Sequence, residues 1–201
     1  MARTFCPWKA RSIRTWTLSF SVRTALRRLK PQRSLRNHVP RNDAELSFVE
    51  QPVGTAPDLL LDSCVYIDVF QRRVPPDVKD LLRQRILNHS SVALSELTHA
   101  FGRLDPKRSD TPRTLVALET AVCAIPPNRL TRPSTAVYGE AGMLAGMAAR
   151  MFGRAHGIEL LNDALLLLHA GATGRVLLTR NVRDFDLLQQ LAPWTRFLAY
   201  R

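Results

Sequence analysis

The sequence predicts an α/β domain with three layers, α/β/α, in which a small parallel sheet lies between helices. Short apolar runs alternate along the chain with longer segments of helical period, and this alternation is typical of β-α-β units. The runs are almost continuously hydrophobic, as expected for strands that are buried on both faces. The chain has 201 residues, 45% of them hydrophobic and 23% charged, which fits one domain with an appendage.

The predicted elements begin at residue 57. In chain order they are a strand over 59–61, helices over 65–71 and 77–87, a strand over 91–94, a helix from Ser95 to a loop at 104–110, helices over 111–124, 134–152 and 160–170, a strand over 175–178, a helix over 185–191 and an edge strand over 196–200. The strands are predicted from short apolar runs. The helices are predicted from their period and from start signals such as Pro75-Pro76 and the capping side chain of Ser95.

The helix over 134–152 has the clearest pattern. Its apolar residues fall on one face of a 3.6-residue period: Val137, Ala141, Leu144, Ala148 and Met151. Three glycines inside it, Gly139, Gly142 and Gly146, reduce helix stability and therefore suggest close packing against a neighbour. That neighbour is either the core of the same chain or a second copy in a homodimer.

Residues 1–56 form a basic extension, and residues 57–201 form the predicted domain. The extension contains eleven Lys or Arg and three acidic residues, and so carries most of the net charge of +12. Such a composition predicts a disordered segment, or a chain start assigned upstream of the true one at Val49 or Val53. A transit-like leader and a basic arm that binds nucleic-acid phosphates are the alternatives.

The three cysteines, Cys6, Cys64 and Cys123, are odd in number and lie far apart. This spacing argues against a disulfide framework and against a zinc site, and it favours a reducing, cytoplasmic location. No uncharged apolar run approaches the ~20 residues of a membrane-spanning helix. The sequence therefore predicts a soluble protein with no membrane partner.

Four acidic residues stand where a solvated surface does not explain them. Asp62 ends the first predicted strand, Glu96 follows the second, Asp163 lies in an otherwise apolar helix, and Asp184 comes just after the third strand. Ligands of open parallel sheets bind beyond the carboxyl ends of the strands. We therefore expect these four side chains to converge there.

Each of these acids also has a purely structural interpretation, as a helix cap or a turn residue. The four together, in an order linked to the strands, favour a site. Crowded carboxylates repel one another, and a hard divalent cation offsets that repulsion. Oxygen ligands with no paired His or Cys suit Mg²⁺ or Mn²⁺, and such an ion supports phosphodiester hydrolysis by activating a water.

Four segments resemble the acidic motifs of PIN-domain ribonucleases, in particular the VapC-type toxins of bacterial toxin–antitoxin pairs. The segments are LLLDSCVYIDVF, SSVALSELTHAF, LLNDALLLLHA and LLTRNVRDFDLL. Each is weak alone, but the ordered set, which ends in Thr-x-Asn-x-x-Asp-Phe, is specific. The resemblance covers roughly residues 57–200, and the PIN fold agrees with the α/β/α prediction.

The resemblance implies a role for each matching residue. Asp62 and Asp163 are the main metal-binding acids, and Glu96 and Asp184 complete the catalytic and metal-binding set. Three neighbours, Ser63, Thr179 and Asn181, support these acids by hydrogen bonds. Arg180 and Arg183 flank the site and are candidates for binding RNA phosphates, although a solvated surface is the other interpretation.

The implied activity is endonucleolytic cleavage of RNA with Mg²⁺, or Mn²⁺ as a substitute, by a metal-activated water and without a covalent intermediate. The implied partners are an RNA substrate, an antitoxin and a second copy in a homodimer. A catalytically silent PIN-like module that binds RNA or a partner is the alternative. A domain that handles small phosphate compounds is disfavoured because no Gly-rich phosphate loop is present.

Two further residues, His169 and Asp68, lie within the segments that resemble the family motifs. His169 stands where the family often has a small residue, and we expect a packed histidine and not a metal ligand. Asp68, six residues after Asp62, stands where the family often has an acid. It either faces solvent or orients a basic residue.

Overall fold

The computed structural model describes residues 20–32, 39–49, 57–152 and 157–201. Its helices are α1 (Val22–Leu29), α2 (Ser63–Phe70), α3 (Pro76–Gln84), α4 (Ser91–Arg103), α5 (Thr111–Cys123), α6 (Thr135–Phe152), α7 (Gly157–Ala172) and α8 (Val182–Leu191). Its strands are β1 (Leu59–Leu61), β2 (Leu87–Ser90), β3 (Leu130–Thr131), β4 (Val176–Thr179) and β5 (Phe197–Ala199). Short 3-10 turns lie at Asp43–Glu45 and Pro127–Arg129.

The sheet has the order β3-β2-β1-β4-β5, and every pairing in it is parallel. β1 is central, and all three of its residues are buried because strands and helices surround it. Helices pack against the sheet to give the predicted α/β/α architecture. Among the described helices, none has both the length and the apolar character needed to cross a bilayer.

The second strand lies earlier in the chain than predicted. β2 ends at Ser90, whose hydroxyl accepts the backbone N–H of Val92 and begins α4. The predicted strand 91–94 is therefore the first turn of that helix, and Ser95 lies inside it with its hydroxyl donating to the Val92 carbonyl. Periodicity cannot distinguish a strand from a helix in so short an apolar run, and the cap decides. Consequently α3 also ends before 87.

Smaller differences affect the other boundaries. The short edge strand β3 was not predicted, because two residues between prolines give no periodic signal. α7 begins at Gly157 and α8 at Val182, three residues before each predicted start. In each case the additional residues include a charged one, Glu159 or Asp184, that interrupts the apolar pattern. β5 is an edge strand of the five-stranded sheet, as predicted.

Two parts of the basic extension, residues 20–32 and 39–49, have defined structure. α1 packs against α6, and it buries Ala25 and Leu29. Residues 47–49 pair with the outer edge of β5: Val49 N donates to Ala199 O, and Ala199 N donates to Ser47 O. Hydrophobic burial and backbone pairing with distant residues, which a local composition does not reveal, order these parts. The rest of 1–56 lies outside the described residues.

Arg41 fixes the second of these parts on α8. Its backbone N–H and guanidinium both bind the carboxylate of Asp186, and its guanidinium also binds Gln189. Asp186 is only 1% exposed, so the partner supplies the compensation that a buried charge needs. Residues 39–49 therefore form part of the folded domain's surface layer.

The glycines of α6 differ in their surroundings. A Cβ atom at Gly139 would lie 2.5 Å from the ring of Phe20, so this glycine allows the residues before α1 to approach closely. At Gly142 and Gly146 a Cβ would meet no described atom within 4 Å. The predicted close packing is thus found at Gly139 alone among the three.

A pair of alanine substitutions tests this difference. Gly146→Ala is expected to stabilise the protein by up to about 1 kcal/mol, since alanine favours the helix and meets open space. Gly139→Ala is expected to destabilise it by about 1 kcal/mol, because Phe20 must move. Urea unfolding measures both. Equal stabilisation by the two substitutions would contradict the packing of Phe20 on α6.

Candidate active site

The candidate site lies where β1 and β4 end side by side. Leu61 pairs with Leu178, and the backbone N–H of Asp62 donates to the Leu178 carbonyl. Asp62 and Thr179 therefore leave the sheet at the same level. This edge is the carboxyl end of a parallel sheet, where the sequence predicted that the acids converge.

Asp62 is buried, with 4% of its surface exposed. It occupies the N-cap position of α2, yet its side chain makes no capping hydrogen bond. Its Oδ2 instead accepts the hydroxyl of Thr179 at 2.6 Å and the thiol of Cys64 at 2.9 Å, and its Oδ1 accepts from Ser63 at 3.4 Å. These contacts rule out a simple capping role and hold the carboxylate in one orientation.

Cys64 donates a hydrogen bond to Asp62, a role that was not predicted from the sequence. Burial, together with the neighbouring charge of Asp62, raises the pKa of its thiol to about 12. The thiol therefore stays protonated at neutral pH and can donate to Asp62. Its sulfur also accepts the backbone N–H of Arg180 at 3.2 Å, which ties the start of α2 to the end of β4.

Asn181 connects the remaining acids. Its side-chain nitrogen donates to Asp163 at 3.3 Å and to Asp184 at 3.1 Å. Its backbone N–H donates to the hydroxyl oxygen of Thr179, which in turn donates to Asp62. Three carboxylates, one directly after β1 and the others in α7 and α8, thus belong to one hydrogen-bonded network. It is here called the acid network and consists of Asp62, Thr179, Asn181, Asp163 and Asp184.

Glu96 has a different position from the one the sequence predicted. It lies in the second turn of α4, not just beyond a strand, because α4 begins at Ser91. It is partly buried. α4 packs against α2, which begins beside Asp62, and against α7, which carries Asp163. The fold therefore places Glu96 on a helix that adjoins the acid network.

The carboxylate oxygens of the acid network are the type of ligand that a hard divalent cation prefers. Mg²⁺ binds through one or two carboxylates and keeps several waters, and Asp163 and Asp184 both reach one amide nitrogen. Within the residues that the structure describes, however, no group of three or more His, Cys, Asp or Glu is arranged to hold a metal ion. A shared four-acid ion site therefore stays a prediction that rests on the chemistry of the residues.

His169 is buried in α7, away from solvent, as expected for a packed histidine. Its two ring nitrogens lie 3.1 Å from the Ser90 hydroxyl and 3.3 Å from the Thr131 hydroxyl. Burial, together with the charge of Arg175, lowers the pKa of its ring to about 4. The imidazole is therefore neutral at pH 7 and ties β2, β3 and α7 together.

Fold and site together define a three-layer α/β/α domain with hydrogen-bonded carboxylates at the carboxyl edge of its sheet. No protein-family model matches the chain, and no curated protein matches it either. Solved structures of similar fold do exist. They include a chain of VapBC2 from Rickettsia felis bound to a DNA fragment from their promoter, at 18% identity and a TM-score of 0.50, covering 71% of this chain and 98% of that one.

A second similar structure is a chain of DNA-bound VapBC from Salmonella typhimurium, at 20% identity and a TM-score of 0.50. The match covers 71% of this chain and 97% of that one. At these identities the likeness shows that the fold is shared. It supports the fold class that the sequence predicted.

Proposed function

We propose that this protein is a metal-dependent endoribonuclease that acts as the toxin of a toxin–antitoxin pair. The observation that carries the proposal is the acid network. The buried carboxylate of Asp62 accepts hydrogen bonds from Thr179, Cys64 and Ser63, and it makes no capping hydrogen bond to α2. Buried carboxylates without a cationic partner are costly, and they are common at catalytic sites.

In the proposed reaction Asp62 and Asp163 would hold Mg²⁺ or Mn²⁺, with Asp184 and Glu96 as further acids of the pocket. Such an ion would supply a water of lowered pKa and would offset the charge of the phosphate. Thr179 fixes the orientation of Asp62 through its 2.6 Å hydrogen bond. Asn181 keeps Asp163 and Asp184 close by donating to both, which reduces the repulsion between them.

Partners follow from the same proposal. The solved structures of similar fold come from complexes named VapBC, and we propose an antitoxin partner for this chain on that basis. A homodimer would use the part of α6 around Gly142 and Gly146, where added atoms meet open space. The part around Gly139 is covered by Phe20 of the same chain.

A catalytically silent module that binds RNA or a partner is the second candidate. The observation in its favour is that the described residues contain no preformed group of three metal-binding side chains. The endoribonuclease and the RNA-binding form of the silent module both predict RNA binding. They differ in whether the RNA is cleaved.

Cleavage of a labelled RNA decides between them. The full-length protein is expected to cut RNA internally with Mg²⁺ or Mn²⁺ and to lose all cleavage in EDTA, since the acid network has oxygen donors suited to these ions. Readdition of Mn²⁺ should restore the activity. RNA that stays bound but intact with every divalent metal tested would favour the silent module.

A further inference from the structure

Asp68 is a buried carboxylate outside the acid network. It lies in α2, six residues after Asp62, and is only 1% exposed. Burying a carboxylate costs several kcal/mol unless hydrogen bonds and a counter-charge compensate, so packing alone does not explain an acid here. Sequence reasoning left open whether this residue faces solvent or orients a basic side chain, and its burial excludes the first interpretation.

Two residues from the other end of the chain contact this carboxylate. The hydroxyl of Tyr200 donates to Asp68 Oδ2 at 2.8 Å, and Nη1 of Arg180 lies 3.3 Å from Oδ1. Burial raises the pKa of Tyr200, so its hydroxyl stays protonated and remains a donor. Oδ1 accepts no hydrogen bond from the described residues, and its contact with the guanidinium is therefore an ion pair without hydrogen-bond geometry.

Arg180 joins this pair to the acid network. It stands between Thr179 and Asn181, both members of the network, and its backbone N–H donates to Cys64, which donates to Asp62. Its side chain is 47% exposed, whereas that of Asp68 is 2% exposed. Asp68 therefore contacts the guanidinium at Nη1, and about half of the Arg180 side chain remains exposed with further N–H donors.

We propose that Asp68, itself held by Tyr200, is a positioning residue that fixes the guanidinium of Arg180 where it binds an RNA phosphate next to the acid network. The proposal rests on the proposed function, because it assumes that RNA occupies this edge of the sheet. A fixed arginine binds phosphate through two parallel hydrogen bonds, and it also offsets the repulsion between the phosphate and the carboxylates. Without Asp68 the long side chain would lose that orientation.

RNA binding tests the proposal independently of cleavage. Affinity of the full-length protein for a single-stranded RNA oligonucleotide is measured in EDTA at several salt concentrations. Arg180→Ala is expected to weaken binding about tenfold. It should also lower the slope of log K against log salt by about 0.7, the value for one phosphate contact on a single strand.

Asp68→Asn is expected to reproduce both effects, and the double variant should bind no more weakly than Arg180→Ala, because the two residues act through one contact. Tyr200→Phe removes the donor to Asp68 and should shift affinity in the same direction to a smaller extent. Asp80→Asn, an exposed acid paired with Arg83, is the matched control and should change neither affinity nor slope. Thermal unfolding confirms that each variant is folded.

Several outcomes overturn the inference. An unchanged salt slope in Asp68→Asn, or losses that add in the double variant, would show that Asp68 acts on folding and not on Arg180. If the wild-type protein cleaves RNA while these variants bind it normally, the inference fails and the proposed function stands. If the variants lose affinity as expected but no metal supports cleavage, the positioning role stands and the endonuclease proposal fails.

Discussion

Asp62→Asn is expected to reduce RNA cleavage by at least about a thousandfold, or about 4 kcal/mol of transition-state stabilisation. Asparagine has nearly the same shape and can still accept the Thr179 hydroxyl through its amide oxygen. The variant therefore removes the negative charge and leaves the packing in place. The measurement is the single-turnover rate on a labelled RNA with saturating Mn²⁺.

Stability provides a second result for the same variant. Asp62 is buried beside hydroxyl and thiol donors, and loss of a buried charge is not expected to lower the melting temperature. Asp77→Asn, at an exposed position in the first turn of α3, serves as the matched control and should retain full activity. Undiminished cleavage by Asp62→Asn would remove the acid network from the mechanism.

Arg41→Ala is expected to lower the free energy of unfolding by about 3 kcal/mol. The substitution leaves the carboxylate of Asp186, 1% exposed, without its cation and also removes the hydrogen bond to Gln189. The backbone N–H of residue 41 and the side chain of Gln190 still donate to the carboxylate, so part of the compensation remains. Urea unfolding, monitored by circular dichroism, gives the free energy.

Two further variants serve as controls for the effect of Arg41→Ala on stability. Arg83→Ala breaks an exposed ion pair with Asp80 and should change stability by less than about 1 kcal/mol. The double variant Arg41→Met, Asp186→Leu replaces the pair by apolar side chains and should recover most of the loss. If Arg41→Ala is as stable as Arg83→Ala, the buried ion pair between Arg41 and Asp186 contributes no more to stability than an exposed one.

Much of the fold was predictable because its strands are short, continuous apolar runs. Leu59-Leu60-Leu61 and Val176-Leu177-Leu178 are strands in the structure, and the polar residues that follow them lie at one edge of the sheet. The prediction of a strand over 91–94 was wrong because an apolar run of that length fits a helix equally well. The decisive information was one hydroxyl, that of Ser90, in the right place to cap α4.

The sequence indicated which residues could form the site, but it indicated less about the contacts between them. Strand ends indicated Asp62 and Thr179, but the bridging donors of Asn181 depend on how α7 and α8 pack together. Asp68 and Tyr200 are separated by more than a hundred residues, and a single sequence contains no signal for their pairing. The same is true of Arg41 and Asp186.

Residues 47–49 cover the outer edge of β5, which would otherwise be open. Removal of these residues would leave the outer backbone N–H and C=O groups of β5 without partners, and an open strand of this kind is a template for intermolecular β-pairing. Polypeptides trimmed to begin at residue 57 should therefore self-associate into β-linked aggregates, whereas those that keep residues 39–49 should stay dispersed.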